Sequence, residues 1–127
     1  MSTITLPSPM AVPTDLDWIP SPLYRVSLEQ YEAMVESGIF APRDRIHLIN
    51  GYLVAKLTQN DPHYTADDLC GEALDKAIPD GWYVRASKPI QLPAQVSKPE
   101  PDRSVVRGMI RDYSRRSPGA AGVSLVV

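Results

Sequence analysis

The sequence predicts one domain of the α+β class, and three observations predict it. A helix opens with a capping motif, a β-hairpin follows around an Asn-Gly turn, and a second helix precedes several short β-prone segments. A length of 127 residues, with 43% hydrophobic and 22% charged residues, suits a single globular domain. We find no internal repeats, so each element is placed from its own local pattern.

The N-terminal segment 1–24 is predicted to be a disordered tail, with the domain itself covering 25–127. Five of the 13 prolines lie in this segment. Proline removes a backbone donor and biases the preceding residue towards extended conformations, which disfavours helices and central strands.

The first helix is predicted over about 28–37. Ser27-Leu28-Glu29-Gln30 fits a capping box, in which the hydroxyl of Ser27 accepts an N–H bond and Gln30 reaches back. Gly38 supplies the left-handed stop. Apolar residues then fall on one face of the helix, namely Leu28, Tyr31, Met34 and Val35.

A β-hairpin is predicted from two apolar runs, Ile46–Ile49 and Tyr52–Lys56. They are joined by Asn50-Gly51, the dipeptide that best tolerates positive φ at both turn positions.

A second helix is predicted to begin at Asp61, with Asp61 as the cap and Pro62 in the first turn, and to end at Pro79-Asp80-Gly81. We expect its acidic residues, Asp67, Asp68, Glu72 and Asp75, to form a solvated face. We expect its apolar stripe to pack on a sheet, through Ala66, Leu69, Cys70, Ala73, Leu74 and Ala77.

Four strands are predicted after this helix, at Trp82–Ala86, Ile90–Leu92, Ser104–Val106 and Val123–Val127. The last of these is apolar and has no turn or cap after it. We expect it to be a core strand. A core strand at the end of a chain would place the terminal carboxylate beside buried surface, which is unfavourable, so we expect the chain to be a shortened one.

Composition excludes several classes of protein. The sequence has neither an 18-residue apolar run nor a signal peptide, so we expect a cytoplasmic protein with no membrane association. A single cysteine, Cys70, forms no internal disulfide and is expected to be a buried thiol. Residues 1–84 carry a charge of −7 and residues 85–127 a charge of +5. This asymmetry indicates either a nucleic-acid-facing side or simply solvated charges.

Several motifs, in this order, resemble a bacterial family of restriction endonuclease domains in the PD-(D/E)XK nuclease superfamily. That family has a hairpin read as Glu-Leu-Ile-Asp-Gly, and this sequence has His47-Leu48-Ile49-Asn50-Gly51. The family also has a lysine near the end of the second hairpin strand, which corresponds to Lys56. It has a Pro-His at the start of the long helix, here Pro62-His63, and a later Pro-Asp, here Pro101-Asp102. The resemblance covers about residues 24–127.

The resemblance implies an incomplete restriction-endonuclease-like core, in which a mixed sheet is flanked by two helices and an N-terminal β-hairpin. It implies that Asp102 is a metal ligand for Mg²⁺ and that His63 and Lys56 are catalytic residues for DNA phosphodiester hydrolysis. The family's glutamate and lysine, which would follow Val127, are absent from this sequence. Activity is therefore expected to be absent or very low.

Each site residue also has a structural interpretation. Asp102 suits a turn that leads into a strand, and Lys56 suits a solvated strand end. His63 suits an exposed first-turn position. His47, where the family has glutamate, suits a half-exposed hairpin residue, since imidazole does not replace a carboxylate for Mg²⁺.

The basic C-terminal part supplies candidate nucleic-acid contacts. Arg103, Arg107 and Arg111 are interpreted as DNA-phosphate contacts, with Tyr113 available to stack on a base. The leading hypothesis is a shortened nuclease-family protein. The alternatives are a non-catalytic module, in which the basic C-terminal half binds nucleic acid or a partner completes the open sheet by adding a strand, and a remnant without independent function. The expected protein partner is a second copy of the chain or a strand-completing protein.

Overall fold

The computed structural model describes residues 22–57 and 59–127 and confirms the α+β class. It contains two helices, α1 (Leu28–Glu36) and α2 (Asp61–Ala77). It also contains five strands: β1 (Ile46–Ile49), β2 (Tyr52–Ala55), β3 (Trp82–Ala86), β4 (Arg103–Arg107) and β5 (Val123–Val126). Most of the predicted tail, residues 1–21, lies outside the described residues.

Helix α1 begins with the predicted capping box. The backbone N–H of Gln30 donates to Ser27 Oγ at 3.1 Å, and the N–H of Ser27 donates to Gln30 Oε1 at 2.9 Å. The helix packs on β1 through a small apolar cluster in which Tyr31 and Leu48 are buried. The Tyr31 hydroxyl donates to the carbonyl of Ile46 at 3.1 Å, which ties the helix to the strand.

The hairpin prediction is confirmed. Strands β1 and β2 pair antiparallel, with Ile49 opposite Tyr52, and the turn residues Asn50 and Gly51 have φ of 50° and 81°. Two positive φ values in succession define the turn whose twist matches the flanking strands. A Cβ on Gly51 would lie 2.9 Å from Arg25 Cβ, so the turn also needs the space that glycine leaves.

The second sheet has the order β3-β4-β5 and is antiparallel throughout. Within residues 22–57 and 59–127 every strand pair is antiparallel, so the mixed sheet implied by the resemblance is not seen. The predicted strand Ile90–Leu92 was wrong: Leu92 forms only an isolated bridge to Ser97. Pro89 and Pro93 flank this segment, and each proline removes a ladder donor.

Helix α2 departs from the prediction at its start. Its cap is Asn60 rather than Asp61: Asn60 Oδ1 accepts from the N–H of His63 at 3.2 Å.

The face of α2 that meets the sheet also differs from the predicted stripe. Gly71 is buried, whereas Leu69 is 60% exposed and Ala66, Ala73 and Ala77 are exposed as well. Cys70, predicted to be a buried thiol, is only half-buried. Asp67, expected in the solvated face, pairs with Arg103 of β4. This pairing fixes the rotation of the helix, and only Asp68, Glu72 and Asp75 remain exposed.

Strand β5 is an exposed edge rather than a core strand. Leu125, Val126 and Val127 are each about half exposed, because β5 pairs with β4 on one side only. The buried part of this sheet is β4, where Val105 and Val106 are buried. Among the described helices none is both long and apolar enough to cross a membrane.

Candidate functional site

Three of the predicted site residues meet at one place. Lys56 directly follows β2, His63 lies in the first turn of α2, and Asp102 directly precedes β4. Lys56 Nζ lies 3.6 Å from Asp102 Oδ1, and His63 Nε2 lies 3.4 Å from Asp102 Oδ2. We call these residues, together with Gln59 and Glu100, the Asp102 cluster.

Asp102 is the centre of this cluster because three side chains converge on its carboxylate. Besides Lys56 and His63, the side-chain amide of Gln59 donates to Asp102 Oδ1 at 2.9 Å. The backbone N–H of Asp102 donates to the carbonyl of Val127 at 2.9 Å, which holds the residue beside the end of β5. The carboxylate is thus surrounded by donors from the β2–α2 connection and from α2.

His63 and Asp102 lie close together without forming a hydrogen bond. Nε2 lies 3.4 Å from the carboxylate, yet it is buried and its geometry does not meet the criteria of a hydrogen bond. A carboxylate beside an imidazole is the arrangement that orients histidine for proton transfer.

Lys56 is held mainly by Glu100. Its ammonium donates to the backbone carbonyl of Glu100 at 2.6 Å and lies 3.9 Å from Glu100 Oε1. The lysine side chain is largely buried, so it is not the solvated strand-end charge of the structural interpretation. Its charge offsets those of Glu100 and Asp102 together.

His47 lies behind the cluster and contacts Glu100 rather than Asp102. The backbone N–H of Glu100 donates to His47 Nδ1 at 3.2 Å, so Nδ1 carries no proton in this arrangement. Burial, and secondarily the charge of Lys56, lower the pKa of His47, while Glu100 acts in the opposite direction. His47 is half-buried, as the hairpin interpretation expected.

The side chains of the Asp102 cluster do not fit a Mg²⁺ site. A magnesium ion prefers near-octahedral oxygen ligands, several of them water, and one or two free carboxylates. Here both Asp102 oxygens face donor side chains, and Glu100 Oε1 faces Lys56. In the part of the chain that the structure describes, no group of three His, Cys, Asp or Glu could hold a metal ion. We therefore derive no step through a metal.

The predicted DNA contacts do not act as one group. Arg103 forms a bidentate pair with Asp67, at 2.8 Å and 3.1 Å, and lies 3.5 Å from Asp68. The hydrogen bonds to Asp67 raise the pKa of Arg103. Arg107 is exposed and stacks over Trp82 at 5.0 Å.

The exposed arginines follow β4. We call residues 107–116 the arginine segment, which contains Arg107, Arg111, Arg115 and Arg116. All four are exposed, and none forms a salt bridge within residues 22–57 and 59–127. Arg103 therefore belongs to the framework. The four guanidinium groups of the arginine segment are exposed, and those of Arg107 and Arg116 lie over the rings of Trp82 and Tyr113.

Sequence reasoning missed two members of the cluster. Glu100 stands two residues before Asp102, and this acid-x-acid spacing was a signal that could have found it. Gln59 lies between β2 and the Asn60 cap and belongs to no recognisable motif. Its contact with Asp102 joins residues 43 positions apart, which no local pattern predicts.

Comparisons of the chain with protein-family models, with curated proteins and with solved structures gave no significant match.

Proposed function

We propose that the chain is a DNA-directed domain of the restriction endonuclease type, and that it binds DNA without cleaving it. The observation that carries this proposal is the meeting of Lys56, His63 and Asp102 within 4 Å. Their motifs were singled out by resemblance to the nuclease family, and they come from three separate elements.

The register of the second sheet is a further support. Ser104 pairs with Val126, and the backbones of Arg103 and Val127 exchange hydrogen bonds. In a longer chain, a residue after Val127 would lie opposite Asp102 and project from the same face of the sheet. The family that the sequence resembles has its catalytic glutamate at this position. In that family the two carboxylates together hold the metal ion.

In this chain the Asp102 carboxylate faces Lys56, Gln59 and His63 instead of a second acidic side chain. Because both oxygens of Asp102 face donor side chains, neither is free to bind Mg²⁺, which prefers free carboxylate and water oxygens. We therefore expect no Mg²⁺-dependent cleavage by this domain.

Binding of DNA is assigned to the arginine segment. If its four arginines each contact a phosphate, log Kobs falls with log salt concentration with a slope of about −3.6, at about −0.9 per contact. Replacing one of them, for example Arg111→Met, reduces the steepness by about 1. Lys76→Met, an exposed cation on α2, is the matched control and leaves the slope unchanged.

Two assays test the proposal together. The first incubates supercoiled plasmid with the chain in Mg²⁺ or Mn²⁺, beside Asp102→Asn. The second measures fluorescence anisotropy of labelled duplex DNA at several salt concentrations. We expect no cleavage and a steep salt slope that Arg111→Met reduces. Cleavage by the wild type that is abolished in Asp102→Asn would show that the catalytic site is complete. A salt slope near zero would contradict the assignment of DNA binding to the arginine segment.

A partner that adds a strand to β5 is the second candidate function. The outer edge of β5 has no strand beside it in the described residues, and Leu125 and Val126 are exposed there. An unpaired apolar edge is a template for strand addition, including by a second copy of the chain. Sedimentation equilibrium distinguishes the cases: a dimer that Leu125→Lys dissociates supports the edge, and a monomer at all concentrations contradicts self-association.

A further inference from the structure

A cavity of about 750 Å³ lies between α1, β1, β3 and the arginine segment, and no residue of α2 lines it. Its walls include three aromatic rings, those of Tyr31, Phe40 and Tyr113, and the side chain of Arg85 from β3. Cavities of roughly 300–1,000 Å³ are typical of small-molecule sites. Polar and charged side chains contribute to this lining alongside the aromatic rings.

Arg85 is unusual among the charged residues of this chain. It is only 7% exposed, and two of its nitrogens, Nε and Nη1, are buried without a hydrogen-bond partner. It forms no salt bridge within the described ranges. The ring of Tyr113 lies 5.6 Å from Cζ, a cation–π contact that attracts the charge without accepting these N–H bonds.

A buried, unpaired guanidinium is costly, because desolvation of a charge is compensated only by a counter-charge and hydrogen-bond acceptors. Its cross-strand neighbour does not supply them. Ser104 lies directly opposite Arg85 in the β3–β4 register, is 1% exposed, and its hydroxyl also has no partner. Two adjacent polar groups on one sheet face are thus left unsatisfied.

The carboxylates that line the cavity do not pair with Arg85: three of the four have partners of their own, and Glu36, which has none among the described residues, is exposed. Glu32 pairs with Lys98 at 3.2 Å, and Glu100 lies beside Lys56. An oxygen of Asp44 accepts a backbone N–H at 2.9 Å. Arg85 is thus a buried cation of the cavity wall with two unpaired nitrogens, whereas Arg115 and Arg116, which also line the cavity, are exposed.

We propose that this cavity is a binding site for a small organic oxyanion, with Arg85 as its anchor and the aromatic walls holding the organic part. Arginine presents its donors in a planar fork that matches both phosphate and carboxylate. The site is distinct from the Asp102 cluster, although His47 and Glu100 border both. It does not depend on the DNA-binding proposal.

The test is a calorimetric titration of the full chain, at constant chloride concentration, with four probes. Phenyl phosphate and benzoate carry the two candidate oxyanions on the same ring, benzyl alcohol is the uncharged control, and inorganic phosphate lacks the ring. We expect saturable binding of at least one aromatic oxyanion, tighter than that of inorganic phosphate, and none of benzyl alcohol. The better of phenyl phosphate and benzoate identifies the oxyanion.

Arg85→Met removes the charge with little change in volume, and Arg43→Met is the matched control, since Arg43 is exposed and does not line the cavity. We expect Arg85→Met to weaken binding about tenfold or more, as a lost charged hydrogen bond does. Arg43→Met changes it by less than about threefold, as an exposed charge does. Equal binding by wild type and Arg85→Met would overturn the assignment, as would the absence of saturable binding.

The thermal midpoint separates a ligand anchor from a structural arginine. Without added oxyanion, we expect Arg85→Met to melt at or above the wild-type temperature, because it removes a buried unpaired charge. The oxyanion then raises the midpoint of the wild type only. A variant that melts lower, or fails to fold, would mean that the protein itself satisfies Arg85, and this would also overturn the proposal. An NMR shift of the Arg85 Nε–H signal on titration provides a readout in the unmodified chain.

Discussion

The replacement Gly71→Ala tests how α2 is attached to the sheet, because two effects of opposite sign meet at this position. Alanine is the better helix former, by about 1 kcal/mol, so an exposed glycine in a helix is normally improved by this change. Gly71, however, is buried against Arg103: a Cβ would lie 2.7 Å from Cζ and Nη1 of that side chain. Carbon atoms in contact are normally separated by about 3.5–4.0 Å.

The guanidinium of Arg103 has little freedom to move away. It is held by two hydrogen bonds to Asp67, at 2.8 Å and 3.1 Å, and both side chains are only about one-fifth exposed. Displacement breaks a charged, bidentate interaction whose loss costs about 2–3 kcal/mol. After the helix-forming gain is subtracted, Gly71→Ala is expected to destabilise the domain by about 1–2 kcal/mol.

Urea denaturation of four proteins measures the effect: wild type, Gly71→Ala, Arg103→Ala and the double variant. In the Arg103→Ala background the steric conflict is gone, so Gly71→Ala is expected to stabilise by about 1 kcal/mol. The effect of Gly71→Ala on the free energy of unfolding is therefore expected to be negative in the wild-type background and positive in the Arg103→Ala background. Stabilisation by Gly71→Ala in the wild-type background would refute the reasoning, since it would mean that the arginine moves away at little cost.

Three further predictions concern the helix cap, the hairpin and pH. Asn60→Ala is expected to lower the unfolding free energy by about 1 kcal/mol and Asp61→Ala by much less, both measured by urea denaturation; equal losses would contradict the assignment of Asn60 as the cap. Gly51→Ala is expected to lower the thermal midpoint by several degrees, because φ is 81° and a Cβ would meet Arg25; an unchanged midpoint would show that the turn adapts. The pKa of His47 is lower in the folded state than its ordinary value of 6.5. Between the two pKa values the unfolded state therefore binds more protons than the folded state. The free energy of unfolding falls as pH drops from about 6.5 towards the folded-state pKa. His47→Gln is expected to flatten this part of a urea-midpoint profile between pH 7.5 and 5, and an unaltered profile would assign the dependence to other groups.

The parts of the fold that the sequence predicted depend on neighbours in the chain. The capping box and the Asn-Gly turn are each set by residues within three positions of one another, and both are confirmed. The parts that were missed depend on distant partners. The rotation of α2 is fixed by a pair of residues 36 positions apart, Asp67 and Arg103, which overrides the apolar stripe. The strand predicted at Ile90–Leu92 failed because the two flanking prolines outweighed its β-prone composition.

The candidate site was predictable only in part. Lys56, His63 and Asp102 were selected because their motifs resemble those of a nuclease family, and no spacing or periodicity would have placed them together. The unsatisfied Arg85 gave no sequence signal, because an arginine in a strand is ordinarily at the surface. In the structure its guanidinium lies against the ring of Tyr113, a contact between residues 28 positions apart that no local pattern predicts.

The Asp102 cluster joins residues that are far apart in the chain, and this affects the order in which the molecule folds. Lys56 contacts Glu100 across 44 positions, whereas the hairpin and α1 form from contacts between close neighbours. Closing long loops costs entropy before the resulting contacts stabilise the chain, so distant pairings form late. The cluster therefore assembles only after both sheets and α2 are in place, and its geometry reports on completion of the native state. Substitutions within it should mainly accelerate unfolding and leave the folding rate almost unchanged.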